Sequence, residues 1–221
     1  MKTALAGAAV LGVLLAALTA LPASGGPPLV GSTYYLVQPD PRLCPSPLCG
    51  GYWVSLANRG RTRCRDGLLR PRCYVFMAVD EERHRLTSEL PADALARAAI
   101  EPWSVEGFGK LGVLVVADLF SPAGRAPVSG TFYRVVDTGI RCVRAPCFSW
   151  RASRLNESAR VAASDLDLAA ARAAPGELDR AEVALRTKNG LLARGRIVPT
   201  AQGGRLLRVW RIYLRIATPR A

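Results

Sequence analysis

Beyond its first thirty residues, the chain alternates short β-branched and aromatic runs with segments rich in Gly, Pro, Asn and Asp. Runs of that kind read as strands. They fall at Ser32 to Val37, Tyr52 to Ala57, Tyr74 to Val79, Leu111 to Leu119, Thr131 to Val136, Trp150 to Leu155, Leu191 to Val198 and Leu206 to Ile216. Two Ala-rich stretches, Pro91 to Ile100 and Pro175 to Arg186, read as helices, each opened by a proline suited to a first turn. In the last strand Trp210, Ile212, Leu214 and Ile216 would share a core face, and Val209, Arg211, Tyr213 and Arg215 a wet one. The pattern predicts a β-rich α+β protein.

The pattern also repeats. An offset of 98 residues lays Thr33-Tyr34-Tyr35 on Thr131-Phe132-Tyr133, Val37 on Val135, Cys44 on Cys142, Cys49 on Cys147, Ser55 on Ser153 and Asn58 on Asn156, without a gap. Seven of 26 aligned positions are identical, which reads as an internal duplication. Each copy would run strand, Cys loop, strand, strand, helix, strand, with the two copies packed together. The division is 1–25 as a leader, 26–125 as copy one and 126–221 as copy two, with Ser121 to Pro127 as the boundary. Ile212-Tyr213 resembles a third instance of the Tyr34-Tyr35 strand, so the strand that opens copy two is expected to close copy one as well.

The leader carries Lys2, an apolar run from Ala4 to Leu21, and then Pro22-Ala23-Ser24-Gly25-Gly26. That is the layout of a secretory signal peptide, which places the mature protein in a periplasm or outside the cell with no membrane span of its own. Six cysteines in such a chain read as three disulfides. Copy two holds only a Cys-x4-Cys pair, so the favoured pairing is Cys44 with Cys49, Cys142 with Cys147 and Cys64 with Cys73, a bridge between copies being the alternative. Loops this short give about 2 kcal/mol each on the chain-entropy view. No Cys-x-x-Cys pair is present and the single histidine, His84, lies away from every cysteine, so no metal or other cofactor is expected.

Cys44-Pro-Ser-Pro-Leu-Cys49-Gly-Gly-Tyr-Trp-Val54, Cys73-Tyr-Val75 and Thr138-Gly-Ile-Arg-Cys-Val-Arg-Ala-Pro-Cys147 together resemble a family of exported bacterial proteins catalogued as a domain of unknown function. The resemblance implies export and a disulfide-bonded architecture, and carries no chemistry.

Charge narrows the remaining choices. The net charge is +13, with 30 basic residues against 17 acidic, nearly all of the basic ones arginine. Such a surface attracts anionic polymers and acidic proteins. Arg59, Arg61, Arg63 and Arg65 alternate and, if extended, project from one face, with Arg70 and Arg72 following and Cys64 and Cys73 pinning the hairpin. These six are the candidate anion-binding residues. No aromatic residue lies between Arg59 and Arg72, which argues against base stacking and sequence-specific nucleic-acid recognition. A His-dependent triad would have to run through His84, in a charged turn. Asp80-Glu81-Glu82 and Asp165-Leu166-Asp167 are the carboxylate clusters available for acid–base work. The leading expectation is a non-enzymatic binding or structural module presenting the loops Pro45 to Leu48 and Val143 to Pro146. Its rivals are a secreted protease inhibitor and a carboxylate-dependent envelope hydrolase.

Overall fold

The computed structural model describes residues 33–86, 89–126 and 129–217; the expected leader and Pro127 of the expected boundary lie outside them. Within the first half run β1 (Tyr34–Pro39), β2 (Tyr52–Leu56), β3 (Thr62–Arg63), β4 (Leu69–Arg70), β5 (Cys73–Val75), β6 (Met77–Val79), β7 (Ala94–Val105) and β8 (Gly109–Ala123). The second half holds β9 (Thr131–Asp137), β10 (Trp150–Arg154), β11 (Arg160–Ala163), β12 (Asp165–Asp167), a 3-10 turn at Ala169–Ala171, α1 (Pro175–Leu185), β13 (Leu191–Pro199) and β14 (Arg205–Ile216). All three disulfides pair locally: Cys44–Cys49, Cys64–Cys73 and Cys142–Cys147.

Twelve strands join in one sheet whose main path is β11-β10-β9-β13-β14-β8-β7-β1-β2-β5. β6 adds parallel to β8, and β12 adds parallel to β14. The order reads the same from either end when β1 is matched with β9, β2 with β10, β5 with β11, β7 with β13 and β8 with β14. Registers match too: Tyr34 opposes Arg97 and Leu36 opposes Leu95, while Phe132 opposes Arg194 and Arg134 opposes Leu192. At the centre β8 and β14 pair antiparallel, Tyr213 opposite Pro122.

Three expectations fail here. Pro91 to Ile100 is no helix, because Ala94, Ala96 and Ala98 alternate into the first core while Leu95 faces the seam between the halves. Pairing with β1 and β8 holds the strand extended, and burial of its two faces, one in the first core and one at the seam, overrides the helical propensity of alanine. The strand opening the second half does not close the first, since β9 pairs with β10 and β13, and β14 is the strand that docks on β8. Pro122 also fails to stop β8, which continues to Ala123 beyond the end of its pairing with β7 at Phe120. α1 matches the expected helix to within a residue. Pro175 opens it, the Glu177 carboxylate accepts the Ala174 N–H at 2.8 Å, and Ala181 and Leu185 enter the second core.

Strict alternation breaks in β14 as well. Arg194 opposes Arg211 but Gly195 opposes Val209, so Trp210 is an extra residue, a β-bulge. The bulge puts Leu207 and Val209 on the same side as Ile212 and Leu214, all in the second core, while Tyr213, on the opposite face that was expected to be wet, is buried in the seam. Ala117 does the same in β8, where Leu114, Val116 and Leu119 face the first core.

The seam has its own cluster, in which Tyr34, Leu95 and Phe120 from the first half meet Phe132, Leu192 and Tyr213 from the second. Its rim is closed by two asparagines. Asn58 donates from Nδ2 to the Phe132 and Leu155 carbonyls, at 2.7 and 3.0 Å, and its Oδ1 accepts the Phe132 N–H at 2.8 Å. Asn58 and its counterpart Asn156 both sit at positive φ, 62° and 58°, the left-handed region that asparagine tolerates better than other branched or bulky residues.

Candidate surface at the first Cys loop

Cross-strand pairing sets Gln38, Trp53 and Tyr74 side by side on β1, β2 and β5. Their neighbours Val37, Val54 and Val75 point into the core, so by the two-residue period of a strand these three face outward. Over them lies the Cys44–Cys49 loop, tied down by Tyr74, whose hydroxyl donates to the Pro47 carbonyl at 3.0 Å, and by Arg42, whose Nη2 donates to the Leu48 carbonyl at 2.9 Å.

Asp40 organises the group. Its buried carboxylate accepts from Arg42 Nε and Nη2, both at 2.9 Å, from the Arg42 N–H at 3.2 Å and from Trp53 Nε1 at 3.1 Å. The Arg42 side chain, then its backbone N–H and the Trp53 indole, hold the Asp40 carboxyl below its usual range against the opposing effect of burial. The Arg42 guanidinium sits 5.0 Å from the centres of both the Trp53 and Tyr74 rings, and that of Arg72 sits 4.5 Å from Trp53. Guanidinium groups so placed gain from the ring quadrupole while keeping edges toward solvent.

The six arginines of the hairpin separate. Only Thr62–Arg63 and Leu69–Arg70 form strand, and they pair with each other outside the large sheet, so four alternating arginines on one extended face do not occur. Arg59 reaches across to the Asn156 carbonyl at 2.9 Å, Arg63 caps its own turn at Gly67, and Arg70 pairs with Asp66 at 2.7 Å. Arg61 and Arg65 are exposed. Arg72 joins Trp53, Tyr74 and Arg42, a group the sequence reading missed because its aromatics come from neighbouring strands rather than from the hairpin. The Asp-x-Arg spacing at Asp40 and Arg42, ahead of a Tyr-Trp strand, was the available signal.

The second Cys loop is built differently. Arg141 pairs with Asp137 through Nη2 at 2.7 Å, and the Gly139 N–H donates to the same carboxylate at 2.8 Å. Those two contacts, in that order, lower the Asp137 carboxyl to about 2. Asp137 and Arg141 line a cleft of about 710 Å³ beside α1, together with Trp150, Asp165, Glu182 and Arg186. Asp167 is turned to Arg208 at 3.3 Å and caps the 3-10 turn. Of the other carboxylate cluster, Asp80 is buried and accepts the His84 N–H at 2.8 Å, and Glu81 and Glu82 are exposed. Asp80, Glu82 and His84 each offer a ligand atom within 4.8 Å of the others, a small acidic turn of a kind common on protein surfaces. The two clusters thus lie in different halves, at the ends of β6 and β12.

Three disulfides are the mark of an oxidising compartment, extracellular or periplasmic. No helix among the described residues is long and apolar enough to cross a membrane. No curated protein and no solved structure matches the chain. Residues 33–218 match one family model, and the chain belongs to that family, a domain of unknown function, DUF6748.

Proposed function

We propose that this is an exported, non-enzymatic binding module that holds an anionic envelope polymer on the surface around its first Cys loop. The observation that carries the reading is the stack of Arg42 and Arg72 on Trp53 and Tyr74, fixed from below by Asp40. Arg42 spends its hydrogen bonds on Asp40 and Leu48, which leaves Arg72, with the exposed Arg61 and Arg65 of the same bridged hairpin, to meet the ligand. We take the two halves to descend from one duplicated unit, a view supported by the seven identities and by the sheet order that reads alike from both ends.

The test is binding of the mature protein to immobilised dextran sulfate and to purified anionic wall polymer across a salt series. Affinity should fall steeply with salt and drop at least tenfold in Arg61→Gln/Arg65→Gln/Arg72→Gln. Salt-insensitive binding, or an unchanged triple variant, would overturn the reading. Binding to polyglutamate alone would replace the polymer with an acidic protein.

A second reading, a secreted protease inhibitor, draws on Leu43 and Val143, each fully exposed beside a bridged cysteine. A rigid loop offering an apolar side chain suits a protease pocket at little ordering cost. Absence of inhibition across a panel of secreted proteases at micromolar protein would remove it.

A further inference from the structure

Where the halves meet, a cleft of about 650 Å³ opens between the seam and α1. That is the size range of small-molecule sites. Its charge is one-sided: Arg97, Arg134, Arg180 and Arg215 line it, and Asp118 is the one carboxylate among the described lining residues. Asp118 is buried, with Arg97 on its Oδ2 and Arg215 on its Oδ1, so a single negative charge is shared by two guanidiniums. Arg134 donates to the Tyr34 hydroxyl and lies 5.6 Å from that ring's centre, which positions it without neutralising it. Among the described residues Arg180, from α1, donates only to the Gly176 carbonyl, at 3.4 Å, and forms no ion pair.

The floor is apolar. Tyr34 and Phe120 pack with ring centres 6.4 Å apart, and Tyr213 and Leu192 continue the surface across the seam. On the rim Val183 is 67% exposed, an apolar side chain turned outward on a helix that buries Ala181 and Leu185. We propose that this cleft binds a small organic anion, an oxyanion head of the phosphate or sulfonate type carried on an apolar or aromatic body. The head would lie among Arg134, Arg180 and Arg215, because guanidinium forks match tetrahedral oxyanions, and the body would cover the tyrosine floor. The site is made by both halves together, from β1, β7 and β8 on one side and β9, β13, β14 and α1 on the other, and it lies apart from the Cys-loop surface.

Calorimetric titration of the mature protein with phenyl phosphate, inorganic phosphate and phenol tests it. Phenyl phosphate should bind more tightly than inorganic phosphate, and phenol should not bind. Arg134→Gln/Arg180→Gln should weaken phenyl phosphate at least tenfold, and Val183→Glu, on the exposed rim and therefore harmless to folding, should do the same by charge. Arg72→Gln should leave this binding unchanged while weakening polymer binding, which separates the two sites. No binding of phenyl phosphate to the wild-type protein would overturn the proposal, as would full binding by Val183→Glu with a native circular-dichroism spectrum. Equal affinity for inorganic phosphate would overturn the apolar half of it.

Discussion

Asn58 and Asn156 each bond the first strand of the other half, and they do so with the same three hydrogen bonds. Asn156 donates from Nδ2 to the Tyr34 carbonyl at 2.8 Å and the Ala57 carbonyl at 2.9 Å, and accepts the Tyr34 N–H at 2.9 Å. Replacing either side chain strands one backbone N–H and one carbonyl at the rim of the seam, the Phe132 N–H and Leu155 carbonyl for Asn58 or the Tyr34 N–H and Ala57 carbonyl for Asn156, because the Phe132 and Tyr34 carbonyls also accept the Leu155 and Ala57 N–H groups. Asn58→Ala should therefore cost about 2 kcal/mol or more in urea unfolding. Asn156→Ala should cost about the same, and the double variant should depart from additivity because both residues close one seam.

The disulfides should not be equivalent. Cys64–Cys73 closes the longest of the three loops, at a separation of nine residues, and both cysteines pack in the first core. Its removal by Cys64→Ala/Cys73→Ala should cost about 3 kcal/mol, the chain-entropy contribution plus lost packing. Cys142–Cys147 closes a separation of five at an exposed turn, and Cys142→Ser/Cys147→Ser should cost at most about 2 kcal/mol. Thermal denaturation of the two double variants would rank them.

The strand pattern, α1 and the local disulfides were legible because each is governed by a few neighbouring residues: a proline at a first turn, a β-branched run, a cysteine pair five apart. β7 was not. Its Ala94-Leu95-Ala96 run reads as helix until β1 and β8 press on it from two sides, and no local signal records that pressure. Periodicity set Tyr213 opposite Ile212 and Leu214 but could not tell that the seam covers that face, and the extra residue at Trp210 carries Val209 from the expected wet face into the second core. The site was split in the same way. The arginines of the hairpin stood out in the sequence, but Trp53 and Tyr74 gain their meaning only from lying opposite each other on β2 and β5.

Asp137 supplies a pH test. Its carboxyl is lowered from 3.8 to about 2, so the stability it contributes is present above pH 4 and is lost as pH falls toward 2. Carboxyl NMR should show Asp137 titrating near 2, and Arg141→Ala should return it toward 3.8. The acid limb of the stability curve should flatten in Asp137→Asn, by a small amount because Arg141 is largely in solvent.

Tyr213 tests the other end of the scale. Burial in the seam raises its hydroxyl to about 12, opposed by the nearby Arg194 and Arg211. Its folded value lies above the ordinary value of 10.0, so the associated stability is intact below pH 10 and is lost between 10 and 12. Burial also raises the Tyr35 and Tyr74 hydroxyls, so ultraviolet titration should show a late-ionising group of tyrosines that loses one member in Tyr213→Phe.

The sheet order gives nearly every surface of one half a counterpart in the other. Where β2 passes to β5 through the bridged arginine hairpin, β10 passes to β11 through the short turn 155–159. Where α1 covers the second core, the first half covers its own with Leu86 and Leu90 on irregular chain. Each half thus serves as an internal control for the other, since it builds the same strands without the other's addition. The hairpin and the helix are not demanded by the frame: the second half completes its strands without the one, and the first half closes its core without the other.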